Sequence, residues 1–199
     1  MNLVAPQPTS TLALAVMAVG VAIFLLSLLF TGNRGRKAEK VAEKRSRRSM
    51  LGVLAQMLGF LLVGFGPILP VLAPYSALAI AEALGVLLLM AVTIALFVSA
   101  SHAMGRNWSI VARTREDHEL VTWGPFAVIR HPIYTALFAF MLAMALAFGH
   151  WRGLLPGVPL YWLGTWLRVA EEEKLLRAQF GSAYEAYAAR VTRFVPGLF

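Results

Sequence analysis

The 199-residue chain is 59% hydrophobic, with a mean hydropathy of +0.69, a formal charge of +8 and no cysteine. Soluble domains are roughly half apolar, so an integral membrane protein of one domain is the expected class. The missing cysteines exclude disulfides, thiolate nucleophiles and cysteine-based metal sites. The cations are confined to segments between apolar runs, which points to anionic headgroups and membrane orientation rather than to nucleic acid.

In chain order, Thr11 to Phe30 gives about 20 apolar residues, enough to cross roughly 30 Å of hydrocarbon as a helix. A signal peptide is the alternative, but no basic segment precedes the run and it is too long, so it reads as a retained span. Arg34 to Arg48 carries eight Lys/Arg against two Glu, which assigns that loop to the cytoplasm. Met50 to Ala73 is the second span, with Pro67 and Pro70 near its far end and Pro74 in a tight turn. Ala77 to Ala100 is the third. Glu82 lies about one turn inside it. An intramembrane carboxylate is a functional candidate, and at this shallow depth snorkelling or pairing competes with that reading.

Ile133 to Phe148 forms a fourth, shorter span and Leu154 to Leu167 a fifth, which Pro156 and Pro159 should break early. His150 to Gly153 joins them as a helical hairpin. Five spans put the amino terminus outside and the carboxy terminus in the cytoplasm, in the inner membrane if the cell is prokaryotic. On that topology 17 of the 18 Lys/Arg are cytoplasmic, Arg152 being the exception. The expected architecture is all-α and integral to the membrane. Residues 1–199 form one domain, with a three-span scaffold over 1–100 and a catalytic half over 101–199. The polar stretches 101–132 and 168–199 emerge on the same side and form a cytoplasmic pocket there. A water-soluble cosubstrate meets the protein at that pocket, and a lipophilic partner enters from the bilayer.

Pro132 suits the first turn of the fourth span, where its missing N–H is no loss. The N–H groups just after it form the positive end of the helix dipole, beside Arg130 and His131. Two readings stand open: an anion site for a carboxylate or phosphate, or an Arg130 that anchors the helix to headgroups. Arg168 and Glu172 lie four apart on one face, with Glu173 beside them. The order Arg-then-Glu is the poorer one for a stabilising pair, and a solvated charged face is the plain alternative. Arg168 also follows Trp162, Trp166 and Leu167 at the interface, where its fork suits a carboxylate presented from the lipid. Gly181 should close that helix, and Ser182 with Glu185 should form a capping box for a short helix carrying Tyr184 and Tyr187 as packing residues. There is no G-x-G-x-x-G after a strand and no P-loop. His118 and His131 are too far apart for a helical metal pair, so no metal is expected.

These residues together resemble the isoprenylcysteine carboxyl methyltransferase family, integral membrane enzymes that transfer a methyl group from S-adenosylmethionine. The resemblance runs over about the last 95 residues. It starts at Gly105-Arg106-Asn107-Trp108-Ser109, His118-x-Leu120-Val121-Thr122, Gly124-Pro125 and Arg130-His131-Pro132-x-Tyr134. It continues through Arg168-x-x-x-Glu172-Glu173-x-x-Leu176, Phe180-Gly181-x-x-Tyr184-x-x-Tyr187 and Arg193-x-x-Pro196. Each is weak alone; in this order and on this hydropathy profile they form a set.

The resemblance implies a cofactor pocket built from His118, Glu119, Leu120 and Val121, from His131, Pro132, Ile133 and Tyr134, and from Glu172. The family usually has Tyr where this chain has Phe126, a ring that packs on the cofactor without a hydroxyl. Arg168 matches the family's substrate-carboxylate residue and is the expected catalytic group, with Arg130 as a second substrate contact. The implied reaction is carboxyl O-methylation of a lipophilic or lipidated substrate such as a prenylcysteine-like acid. The nucleophile is then already an anion, so positioning and desolvation should supply most of the rate. Phospholipid N-methylation, thiol S-methylation, an NADPH-dependent sterol-type reductase and a non-enzymatic membrane protein are the alternatives. The sequence carries no reading of oligomeric state.

Overall fold

The computed structural model describes residues 6–35, 47–105 and 119–197. Among these it has six α-helices: α1 (Thr11–Gly35), α2 (Arg47–Gly64), α3 (Ala77–Met104), α4 (Pro132–Phe148), α5 (Leu154–Phe180) and α6 (Ser182–Ala188). Single 3₁₀ turns at Gly124–Ala127 and Trp151–Gly153 precede α4 and α5. No strand occurs among the described residues, only isolated bridges joining Pro8 to Leu69 and Ile129 to Thr192.

Helices α1, α3 and α4 start and stop near where hydropathy puts them, and local chemistry explains the ends. Ser10 and Ser76 accept from the N–H three residues on, Ala13 at 3.0 Å and Ala79 at 3.2 Å, as N-caps do. Gly149 ends α4 in the left-handed region (φ 70°), with its N–H turned back to the Ala145 and Leu146 carbonyls.

Two boundaries differ from the sequence expectation. The second span is helical only to Gly64 and not to Ala73. Gly64, Gly66, Pro67 and Pro70 withdraw helix propensity, and Leu69 instead bonds Thr9 through its carbonyl at 2.9 Å. In contrast, α5 is not broken early. Pro156 falls in the first turn, where N–H groups have no intrahelical partner, and Pro159 is carried inside a helix of 27 residues.

Helices α1 to α5 run alternately up and down. Helix α3 packs on α1 and α4, and α2 packs along α5. The second contact is backbone on backbone. A Cβ at Gly59 would stand 2.9 Å from the Gly157 carbonyl, and Gly52 and Gly164 meet in the same way. An aromatic file from Phe97 through Phe24, Phe140 and Phe60 to Tyr161 joins the two groups, with neighbouring ring centroids 5.0 to 6.0 Å apart.

The outward faces of α1 to α3 expose Leu25, Leu29, Phe30, Leu58, Leu61, Leu84, Leu87 and Leu88. An apolar surface of this extent suits hydrocarbon, not water. Thr11–Phe30 and Ala77–Met104 have both the length and the hydropathy to cross a membrane, and Pro132–Phe148 is shorter.

One end of the bundle is stapled shut. Glu82 accepts from the Thr9 hydroxyl at 2.6 Å and the Ser10 N–H at 2.8 Å, so pairing is what this carboxylate does. The ring nitrogens of His150 lie 2.9 Å from the Val63 carbonyl and 3.0 Å from that of Pro67. The other end holds the polar cluster.

Candidate active site

Gly124, at φ 62°, and Pro125 start the 3₁₀ turn that leads the chain to α4. Residues 130 and 131 then pair with the carboxy-terminal segment. Arg130 N–H bonds Thr192 O at 2.8 Å, His131 N–H bonds Arg193 O at 2.9 Å, and the Thr135 hydroxyl reaches Phe194 O at 3.0 Å. The tail thus lies across the start of α4. From below, the Tyr187 hydroxyl holds the Phe126 carbonyl at 2.7 Å. Helix α6 begins directly after Gly181 with no side-chain cap. The expected Ser182–Glu185 box does not form: Gly181 takes the N-cap position, Ser182 is already the first helical residue, and Glu185 pairs with Arg177 at 2.8 Å.

On α5, Tyr161, Thr165, Val169 and Glu173 recur every four residues, and all are essentially inaccessible. Glu173 is the charged end of this inward stripe. Its carboxylate takes Arg130 at 3.1 Å, Arg193 at 2.9 Å and Arg177 at 3.3 Å, with His131 Nε2 at 3.3 Å. Burial opposes its ionisation. The His131 hydrogen bond and the Arg193 guanidinium outweigh that and hold the carboxyl well below the usual carboxylate range. Arg130 is spent on this network, since it also donates to the Ala188 and Val191 carbonyls.

Glu172 faces the other way. It accepts from the Tyr134 hydroxyl and lies 3.7 Å from His131 Nδ1, so His131 stands between the two carboxylates. At the start of α4 itself, the Tyr134 N–H is folded back onto His131 O at 3.2 Å.

Beside this network opens a cleft of about 470 Å³, counted to its open side. It is lined by Met104, Glu119, Leu120, Val121, Phe126, Arg130, His131, Leu176, Tyr184 and Tyr187. Tyr184 is 1% exposed and its hydroxyl has no partner among the described residues. Burial pushes both tyrosines up to about 12, so both stay protonated donors across the physiological range.

Arg168 lies on the α2 side of Tyr134. Its guanidinium carbon is 5.3 Å from that ring, and Nη1 donates to Gln56 Oε1 at 3.1 Å.

The phospholipid methyltransferase family model matches residues 80–183, more than half of the chain and all of α4 and α5. The chain belongs to this family. The protein-S-isoprenylcysteine O-methyltransferase of Schizosaccharomyces pombe is 31% identical over 100 residues, which are 49% of this chain and 42% of that one. Protein-S-isoprenylcysteine O-methyltransferase B of Arabidopsis thaliana is 30% identical over 94 residues, 46% of this chain and 48% of the relative. The matched regions thus span about half the length of these curated relatives. A solved structure of the eukaryotic intramembrane Ras methyltransferase, isoprenylcysteine carboxyl methyltransferase, shares the fold. Its TM-score is 0.56 at 20% identity, over 94% of this chain and 65% of that one.

Within this phospholipid methyltransferase fold, Glu119, Leu120, Val121, Phe126, Arg130 and His131 come together around the cleft. Pro132 is buried at the head of α4, Ile133 turns into the apolar core, and Tyr134 packs among Val169, Phe194 and Trp162. Glu172 joins them through Tyr134, and Arg168 stands behind that ring. His118 lies outside the described residues, as do Arg106 to Ser109. The sequence assigned no site role to Glu173, Leu176, Tyr184 and Tyr187, although all four lie in the motif set, and did not mark Met104 at all. The four-residue stripe from Tyr161 was the available sign for Glu173.

Proposed function

We propose that the chain is a membrane S-adenosylmethionine-dependent methyltransferase that carries out carboxyl O-methylation of a lipophilic, prenylcysteine-like acid. Five helices span the bilayer in this reading, with the amino terminus outside and the cleft on the cytoplasmic side. The distribution of Lys/Arg supports that orientation. The family match and the names of the curated relatives support the reaction. The observation that carries the carboxylate acceptor is Arg168, a guanidinium stacked on Tyr134 where α5 leaves its apolar stretch.

The residues around the cleft fit the cofactor. Leu120, Val121, Phe126 and Leu176 offer apolar walls for a purine, and Glu119 and Tyr187 offer polar edges. The buried Tyr184 hydroxyl calls for a partner, because an unsatisfied buried polar atom is costly. The resemblance adds His118, Pro132, Ile133, Tyr134 and Glu172 to this set. When bound, S-adenosylmethionine supplies an electrophilic methyl group. Glu172, held by Tyr134, offers a negative partner to a cationic group. Arg168 holds the acceptor carboxylate as an anion, so the chain needs no general base. The apolar flanks of α2 and α5 receive the lipophilic part and keep water from the carboxylate.

Radiolabelled methyl transfer to a prenylated N-acetylcysteine, by protein purified in detergent or lipid, tests this. Alkali-labile label released as methanol is expected. Arg168→Ala should abolish most turnover while cofactor binding persists. Tyr184→Phe should weaken cofactor binding roughly fivefold, the worth of one ordinary hydrogen bond. Label on an amine or a thiol instead would overturn the acceptor assignment. Loss of cofactor binding in Arg168→Ala would overturn its role.

A further inference from the structure

Helix α2 turns Ser49, Gly52, Gln56, Gly59 and Val63 inward, and Gln56 is the one long polar side chain in that stripe. It is 5% exposed and lies outside the matched residues 80–183, so neither the family match nor the motif set singles it out. Both ends of its amide are engaged on α5. Oε1 accepts from Arg168 Nη1 at 3.1 Å, and Nε2 donates to Thr165 Oγ1 at 2.8 Å.

The sense of the amide is fixed by chemistry. Arginine has donors only, so the oxygen must face it, and the amide nitrogen is left for the threonine hydroxyl. Thr165 is itself fully buried. It lies one turn after Tyr161, whose hydroxyl fastens the Tyr134 carbonyl at 2.6 Å. Tyr134 is in turn the ring beneath Arg168. The guanidinium is thus fixed by an aromatic face and by an amide oxygen on one nitrogen, and both supports are anchored in packed helices. The glycine contacts bring Gln56 within reach: a Cβ at Gly164 would meet the Gln56 side chain at 2.8 Å.

We propose that Gln56 is a positioning residue for the acceptor carboxylate, acting by fixing the plane of Arg168; this rests on the reading of Arg168 given above. A planar fork recognises a carboxylate through two parallel bonds only when its orientation is held. Gln56 holds that orientation from the second helix and makes the α2–α5 pair, not α5 alone, the acceptor-side scaffold.

The test compares parent, Gln56→Leu, Arg168→Ala and the double variant. Methyl transfer to a prenylated N-acetylcysteine and S-adenosylmethionine binding are measured on each. Gln56→Leu should raise the acceptor KM roughly tenfold or more, as expected for losing a hydrogen bond to a charged group. Cofactor affinity should stay unchanged. Gln56→Glu keeps an acceptor for Arg168 but gives it a rival carboxylate, and should raise KM at least as much as leucine does. In the Arg168→Ala background, Gln56→Leu should add nothing, whereas a merely structural glutamine would add its full effect. Activity of Gln56→Leu equal to the parent's, or additive effects in the double variant, would overturn the inference while leaving the function standing. If Gln56→Leu fails to fold, Thr165→Val removes the amide's other anchor and must raise the acceptor KM in the same way, or the inference falls. A parent that binds cofactor but methylates no carboxylate would overturn the underlying reading, and this one with it.

Discussion

Each end of the bundle has a buried or half-buried carboxylate at its centre, and the two are served differently. Glu82 is held by a hydroxyl and a backbone N–H, both neutral, from the segment that runs into α1. Glu173 is held by three guanidiniums and a histidine, drawn from α5 itself, the segment before α4 and the tail. Neutral donors close an end without bringing a counter-charge to the carboxylate. Charged donors hold distant segments together, and they leave a strongly polar wall beside a cleft. The second arrangement is dear in desolvation unless every charge is met, and it stands only at the end where the cleft lies.

The sharpest way to break the contrast is to remove one carboxylate at a time. Glu173→Ala should destabilise by about 3–5 kcal/mol, because the guanidiniums gathered around it lose their shared partner. Thermal unfolding in detergent would read this, and proteolysis should cut first after residue 188 as the tail comes free.

The next effect is in acid. The folded carboxyl of Glu173 is held below its unfolded value, so its stabilisation is complete above the ordinary carboxylate range. It is lost progressively as pH falls below about 4.3. A melting series from pH 7 to pH 3 should show this acid limb in the parent and a shallower one in Glu173→Gln. The smallest effect belongs to the other end. Glu82→Gln should cost about 1 kcal/mol or less, since the amide oxygen still accepts from the Ser10 N–H while the amide nitrogen donates to Thr9 Oγ1, whose hydroxyl turns to the Ala147 carbonyl. A cost as large as that of Glu173→Ala would erase the distinction between the two ends.

Hydropathy made α1, α3 and α4 legible because the apolar run and the helix begin within a residue of each other there and end within about five. It misjudged α2, where Phe65 to Ala73 stays apolar but Gly66, Pro67 and Pro70 refuse the helix. It misjudged the start of α5 in the opposite sense, because Pro156 and Pro159 do not break the helix, which runs to the expected close at Gly181. At the site, motif spacing picked out Glu172, which follows Arg168 on one face. The neighbouring Glu173 belongs to a different face, about 100° round the helix, and only the periodicity of buried residues from Tyr161 tells them apart. Gln56 carried no motif signal, because its meaning comes from a helix more than a hundred residues away.

The strand-like contact of Arg130 and His131 with Thr192 and Arg193 sets an order of events during synthesis. Every wall of the cleft leaves the ribosome before residues 192–194 do. The spans can be inserted and packed, yet the start of α4 lacks its cover until that last segment arrives. Ligand-dependent stability should therefore appear in a nascent-chain series only after Phe194 has emerged, well after the hairpin of α4 and α5 is complete.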